Sequence, residues 1–348
     1  MTNPNTPRVT DIGERGLLKI LQQYCGEMVG DDAAPMGATL PDRQMVVTTD
    51  MLIDGVHFSD RTTSAEDVGW RAVAVNLSDL AAMGAQPWGL VIALGLPPET
   101  PVSWVEGVYR GMAACMQTYG TQLVGGDTVR SPIKTLSITA FGQVDHRQII
   151  QRHRARVGDA IVITGEHGLS RAGLELLSQN SFAIAGQKMD LHKVKELYPH
   201  LVTMAERSHQ RPIPRFDAIT LLQDITQEYG WDWAIAGMDS SDGLADAITQ
   251  ICQASQVDAD IDWSAISIPE IVQILAGDRA RDWVLYGGED FELVLFMPME
   301  IAIKFVERMP SAMIIGRAIA KPNHDSASIA GLEMRSTFQH FGTSISPI

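Results

Sequence analysis

Apolar residues recur along this chain in two patterns, one with a helical period and one of short continuous or alternating runs. Apolar positions at i, i+3, i+4 and i+7 predict helices over residues 12–24, 65–83, 102–119, 169–178, 215–229 and 244–255. Two of these carry start signals: Thr100-Pro101 stands before residue 102, and Ser64 precedes Asp67 by three residues. Strand-like runs cover 45–49, 90–96, 122–124, 136–144, 160–164, 234–238, 292–296 and 313–315. Strands and helices recur throughout, so the expected class is mixed α and β (α+β). The polar, histidine-bearing stretch 189–211 shows no clear period and reads as a surface excursion.

The pattern also breaks once. After the strand ending at Val144 comes a basic run through Arg147, Arg152, Arg154 and Arg156, then a Gly158-Asp159 turn into a new apolar strand. This predicts two domains, 1–148 and 149–348, and a chain of 348 residues has room for both. The connector reads either as a solvated linker or as a segment facing phosphate.

Charge narrows the function classes. Lys and Arg total 27 against 42 Asp and Glu, a formal net charge of −15. That disfavours nucleic acid or an anionic membrane as the main partner, and an anionic nucleotide would need cations to approach. Cys25, Cys115 and Cys252 have no ligand spacing and suit small buried residues in a reducing compartment. The opening residues are polar, and the longest apolar stretch, 88–96, falls short of the roughly 20 residues of a membrane helix. The expected location is the cytoplasm.

The candidate chemistry lies in six acidic motifs: Gly30-Asp31-Asp32, Thr48-Thr49-Asp50, Asn76-Leu77-Ser78-Asp79, Gly125-Gly126-Asp127-Thr128, Asp239-Ser240-Ser241-Asp242-Gly243 and Gly287-Gly288-Glu289-Asp290. Each sets a carboxylate beside glycines or hydroxyls, and most fall where an apolar run stops. Oxygen donors with close backbone approach suit hard cations and the phosphates they carry. Asp50 follows a strand directly. Asp79 sits on an otherwise apolar helix, where it must cap, pair or bind metal. Gly126-Asp127 offers backbone to a phosphate and a carboxylate to its cation. Ser241 and Asp242 stand at a helix start, a place for anions or for a plain cap. A turn carboxylate is the ordinary alternative for each motif taken alone, and His57, taken alone, reads as structural.

Other signatures are missing. No G-x-x-x-x-G-K-[ST] loop, no G-x-G spacing, no i, i+4 histidine pair and no G-x-S-x-G elbow occurs. A nucleotide would therefore be handled through metal ions and carboxylates. Water as acceptor would make the same carboxylates a metal-dependent phosphohydrolase.

Taken in order, the motifs resemble the thiamine-monophosphate kinase family, of the superfamily of aminoimidazole ribonucleotide synthetase and selenophosphate synthetase. The resemblance runs through V-G-D-D-A-A, T-T-D-M-L-I-D-G-V-H-F, A-V-N-L-S-D-L-A-A-M-G-A, L-V-G-G-D-T, V-G-D-A-I-V-I-T-G, D-S-S-D-G-L and Y-G-G-E-D-F-E-L. The stretch 74–85 with His57-Phe58 separates these kinases from superfamily relatives, other ATP-using synthetases being the alternative. The resemblance implies a two-domain synthetase-like fold whose N-terminal domain forms a homodimer through its sheet. It implies transfer of the ATP γ-phosphoryl group to thiamine monophosphate, with several Mg²⁺ ions and with K⁺ as a candidate monovalent ion. By matching positions, Asp32, Thr48, Thr49, Asp50, Asp79, Asp127, Asp239 and Asp242 would hold the metals, with Asp50, Asp79, Asp127 and Asp242 catalytic. Tyr109, Gly126, Asp127, Arg152 and Ser241 would meet ATP, and His57, Glu289 and Phe338 the thiamine substrate. One departure lies at the end, where Phe338-Gln339-His340-Phe341 replaces the family's aromatic-Asp-His-Phe.

Overall fold

The computed structural model describes residues 7–26, 37–184 and 186–321, which divide into two units. The first holds residues 7–26, 37–80 and 85–146, and the second holds 81–84, 147–184 and 186–321.

In the first unit the chain runs α1 (Val9–Leu21), β1 (Arg43–Ile53), α2 (Ala65–Ala82), β2 (Gln86–Leu96), α3 (Val102–Thr118), β3 (Leu123–Arg130) and β4 (Thr135–Asp145). The sheet order is β1-β4-β2-β3, antiparallel except for the parallel β2–β3 pair. On β4, Leu136, Ile138, Ala140, Gly142 and Val144 are buried while the residues between them are not. That period of two is the mark of a sheet with one covered face. Helix α2 lies on the covered face, where Leu80 sits so close to Gly142 that a Cβ there would meet its side chain at 3.0 Å. Helix α3 packs on α2 through Gly107 and Gly111, and a Cβ on Gly111 would lie 1.8 Å from the Glu66 carbonyl oxygen. The other face of the sheet carries exposed Met45, Val47, Met51 and Val129.

The second unit contains β5 (Ala160–Ile163), α4 (Leu169–Ser178), β6 (Ser181–Ile184), β7 (Gln187–Asp190), α5 (Leu191–Leu197), α6 (Pro199–Gln210), α7 (Phe216–Tyr229), β8 (Ala236–Asp239), α8 (Leu244–Ser255), β9 (Val257–Ile261), α9 (Glu270–Ala276), α10 (Ala280–Tyr286), β10 (Leu293–Met297), α11 (Met299–Arg308) and β11 (Met313–Ala320). Its main sheet, β8-β10-β5-β11-β9, is antiparallel. Both faces are covered: Val294 and Phe296 of β10 join the core under α8, whereas Leu293, Leu295 and Met297 join the core with α7 and α11. A strand buried on both sides needs no polar alternation, hence the unbroken apolar run.

Three expectations change. The stretch 189–211 is largely helical, as α5 and α6; Val202, Ala205 and His209 are its buried stripe, and Gly173 of α4 lets the α6 backbone come close. Asp50 and the Gly125-Gly126-Asp127-Thr128 run lie inside β1 and β3 instead of past their ends. Strand pairing uses backbone alone, so it continues through them, with Asp50 opposite Ile138 and Gly126 beside Ile92. Cys25 is only partly buried, unlike Cys115 and Cys252.

Candidate active site

The densest group in the first unit is on β1 and α2. Thr48, Asp50 and Leu52 alternate onto the covered face of the sheet, and α2 brings Asn76 and Asp79 to the same place. Thr48 Oγ1 donates to Asp79 Oδ2 at 2.5 Å. The Asp50 backbone N–H donates to Asn76 Oδ1 at 3.1 Å, and Asn76 is wholly buried. Burial, and then the nearby charge of Asp79, push the Asp50 carboxyl up to about 6. Two carboxylates that raise each other's cost of ionisation want a cation between them. Thr49 points to the other face, where its Oγ1 donates to the Ile138 carbonyl at 2.9 Å and accepts from Thr139.

The sheet order sets β1 and β3 at opposite edges. Asp50 and Asp127 are thus three strand spacings apart, about 14 Å at roughly 4.8 Å each. Asp127 is exposed, and its Oδ1 accepts the N–H of Thr128. A Cβ on Gly126 would lie 2.6 Å from the Ile92 carbonyl oxygen, so close strand packing by itself requires glycine there. Tyr109 is 5% exposed on α3, beside Tyr24, and burial raises its hydroxyl beyond the ordinary range. His57 closes a turn after β1: its Nδ1 accepts the Ile53 N–H at 3.1 Å, and its own N–H returns to the Ile53 carbonyl.

In the second unit the motifs at 239–243 and 287–290 are spatial neighbours. The Glu289 N–H donates to the Ser241 carbonyl at 2.7 Å, and the Ser240 N–H to that of Glu292 at 2.9 Å. Gly288 allows the contact, since a Cβ there would lie 2.7 Å from the Ser241 carbonyl. Glu289 and Phe291 hold left-handed backbone, φ 70° and 54°. Such conformations are costly for residues with side chains and persist where surroundings enforce them. Here the enforcement is visible. Asp290 accepts the N–H groups of Gly168 and Ser170 at the start of α4, at 2.7 and 2.9 Å. Burial outweighs those donors and lifts its carboxyl to about 7. Glu292 accepts from Thr164 and Arg215, and Arg215 also grips Asp217 with two nitrogens. His209 Nδ1 shares a hydrogen bond with Ser170 and stands 3.6 Å from Glu289 Oε2. Beside them Asp239 and Ser240 are buried and Asp242 exposed; Ser240 Oγ pairs with His167 Nε2 at 3.0 Å.

The basic connector is anchored, with Ile150 and Ala155 in the cores of the second unit. Arg152 begins a short 3-10 turn, its Nη1 donating to Gln250 of α8 at 2.8 Å and its carbonyl accepting from Ser255. Asp32 and Phe338 lie outside the described residues. Asn76, Asp290 and Arg215 carry no assigned role on sequence alone. The first two stand inside the quoted motifs, and an amide on an apolar helix face was the available signal.

The oxygen-only set of Thr48, Asp50 and Asp79 fits a hard divalent cation. Among the described residues no three His, Cys, Asp or Glu side chains converge as a metal site. The predicted ligands are instead divided between the units, with Thr48, Thr49, Asp50, Asp79 and Asp127 in the first and Asp239 and Asp242 in the second.

Residues 30–144 match the family described as AIR synthase related protein, N-terminal domain. A thiamine-monophosphate kinase of Synechococcus elongatus is 44% identical over 96% of this chain and 98% of its own length. The chain belongs to the thiamine-monophosphate kinase family. Another such kinase, from Prochlorococcus marinus, is 36% identical over 95% and 96% of the two chains. Among solved structures, a thiamine-monophosphate kinase from Stenotrophomonas maltophilia has 32% identity and a TM-score of 0.72, over 89% of this chain and 95% of that one. AaThiL complexed with AMPPCP and TMP has 30% identity and a TM-score of 0.68, over 91% and 94%. Membership in this kinase family makes the chain an enzyme, a transferase. Among its described residues no helix is long and apolar enough to cross a membrane.

Proposed function

We propose that this chain transfers the γ-phosphoryl group of ATP directly to thiamine monophosphate in the cytoplasm, giving thiamine diphosphate and ADP. The observation that carries the reading is the meeting of Thr48, Asp50 and Asp79 on the covered face of the first unit, in a chain 44% identical to a thiamine-monophosphate kinase. A phosphate oxygen of thiamine monophosphate attacks the γ-phosphorus, and the bond to the β–γ bridging oxygen breaks with its electron pair leaving on ADP.

Such a transfer asks the protein for alignment and charge neutralisation without a side-chain nucleophile. Mg²⁺ ions, held by Asp32, Thr48, Thr49, Asp50, Asp79, Asp127, Asp239 and Asp242, would supply the neutralisation, with K⁺ as a candidate monovalent ion. Arg152 grips an ATP phosphate with its planar fork, with Tyr109, Gly126, Asp127 and Ser241 as further nucleotide contacts. His57 and Glu289 orient the thiamine phosphate, with Phe338, outside the described residues, as a further candidate contact for the thiamine substrate. The chain acts as a homodimer paired through the open face of its first sheet, whose exposed Met45, Val47, Met51 and Val129 support that pairing.

Incubation with ATP, Mg²⁺ and thiamine monophosphate, followed by chromatography, tests the reaction. Thiamine diphosphate formed mole for mole with ADP is expected. Phosphate release alone would indicate a phosphohydrolase, and ATP cleavage indifferent to thiamine monophosphate a different synthetase. Chirally labelled ATP should give inversion at phosphorus; net retention would mean a covalent intermediate. Light scattering should give twice the chain mass of 38.0 kDa.

A further inference from the structure

The turn that carries His57 is held from outside by a residue in none of the motifs. Lys134 stands immediately before β4, opposite the end of β1. Its Nζ lies 3.2 Å from Asp54 Oδ2 and 2.9 Å from Asp60 Oδ1, one carboxylate at each end of the turn. The same ammonium sits 4.8 Å from the centre of the Trp104 ring. Trp104 stacks on Phe58, the residue after His57, with ring centres 6.3 Å apart. The backbone joins in, as the Asp54 N–H donates to the Lys134 carbonyl at 3.0 Å. The Lys134 side chain is 13% exposed and Phe58 1%. Asp60 is 74% exposed and its ion pair alone contributes little, but an ammonium mostly withdrawn from water, held by the 29%-exposed Asp54 and an aromatic face as well, is a stronger restraint.

Within this clamp the His57 ring has a set orientation. Nδ1 accepts the Ile53 N–H, so the neutral ring carries its proton on Nε2. Gly55, at φ 81°, lets the chain turn sharply enough for the Gly55 N–H to reach the Phe58 carbonyl at 2.8 Å. A shift of the turn would carry the ring with it.

We propose that Lys134 is a positioning residue for the thiamine phosphate, fixing the direction of the His57 Nε2–H through Asp54, Asp60 and the Trp104–Phe58 stack. This rests on the reading that His57 meets that phosphate. Lys134 touches neither substrate and acts only through the turn.

Lys134→Met keeps the stem over Trp104 and removes the charge. It should raise the KM for thiamine monophosphate about tenfold, with that for ATP unchanged within about twofold, and Lys134→Arg should recover most of the loss. Asp54→Asn, which breaks the same clamp from its other side, should repeat the pattern. A second readout needs no activity: ¹⁵N NMR of the unliganded protein should show one neutral His57 tautomer in the wild type and a mixture in Lys134→Met. An unchanged KM for thiamine monophosphate in both variants, equal rises for both substrates, or a wild-type tautomer pattern in Lys134→Met would overturn the proposal. Tautomer mixing in Lys134→Met, together with a wild type that makes no thiamine diphosphate, would uphold the clamp and refute the functional reading beneath it.

Discussion

The Asp50 backbone N–H donates to Asn76 Oδ1 at 3.1 Å, and Asn76 Nδ2 donates to the Ala72 carbonyl at 3.0 Å. Because β1 is an edge strand among the described residues, alternate N–H groups have no strand there to bond, and Asn76 takes the one that belongs to Asp50. The amide thereby ties the site strand to the site helix. Asn76→Ala should destabilise the protein by about 1–2 kcal/mol, the cost of leaving a partly buried N–H without its partner. Urea unfolding checks this, and turnover should fall with it as Asp50 shifts relative to Asp79.

Asp79 accepts from Thr48 and raises the cost of ionising Asp50. Asp79→Asn should keep the fold yet lower kcat by roughly two to three orders of magnitude, from the loss of several kcal/mol of charge stabilisation. Asp127→Asn should do the same from the opposite edge of the sheet. Turnover by Asp79→Asn near that of the wild type, at saturating Mg²⁺, would remove the metal assignment.

Arg152 rests on Gln250 of α8, whereas Arg156 is exposed nearby with its backbone N–H bonded to Asp159. Lysine cannot reproduce a two-pronged grip on phosphate. Arg152→Lys should raise the KM for ATP about tenfold or more, as expected for one lost charge-assisted contact, and Arg156→Lys should leave it unchanged. Equal, small effects would make the segment a structural connector only.

His167 is almost wholly buried, and burial lowers its imidazole to about 4. The folded state therefore favours the neutral ring, while the unfolded chain takes up a proton below about 6.5. Its contribution to stability is present above that value and is lost as pH falls toward 4, in total about 3 kcal/mol. Asp50 and Asp290, with raised carboxyls, act in the opposite sense, losing stability as pH rises toward about 6 and about 7. The difference in unfolding free energy between wild type and His167→Gln isolates the histidine. It should grow less favourable to the wild type as pH falls from 7 to 4, and a pH-independent difference would contradict the neutral buried ring.

Gly111→Ala places a Cβ 1.8 Å from the Glu66 carbonyl oxygen. Backbone atoms cannot yield as a flexible side chain can, so α2 and α3 must separate. A loss of about 2–3 kcal/mol, toward the upper range for overpacked interiors, should appear as a lowered Tm.

Periodicity alone located α4 and α8 to the residue and β4, β5, β8 and β10 to within two positions, whereas β1, β3 and β11 run four to six residues past their predicted ends. Amphipathic spacing is set by one face meeting a core and says less about where pairing stops. The motifs stand out for a similar reason: glycine and carboxylate at Gly288, Glu289, Asp239 and Asp50 are types that ordinary core packing would not select there. The polar helices α5 and α6 stayed hidden, since their buried stripe is short and includes His209, which reads as surface until α4 is beside it. Sequence order also gave no hint that the motifs at 239–243 and 287–290 touch, that Asp290 caps α4, or that Lys134 grips the turn of His57. Those contacts join residues far apart in the chain. Local spacing reports which face of an element is buried, whereas the choice of partner across that face is made only when strands pair and helices dock.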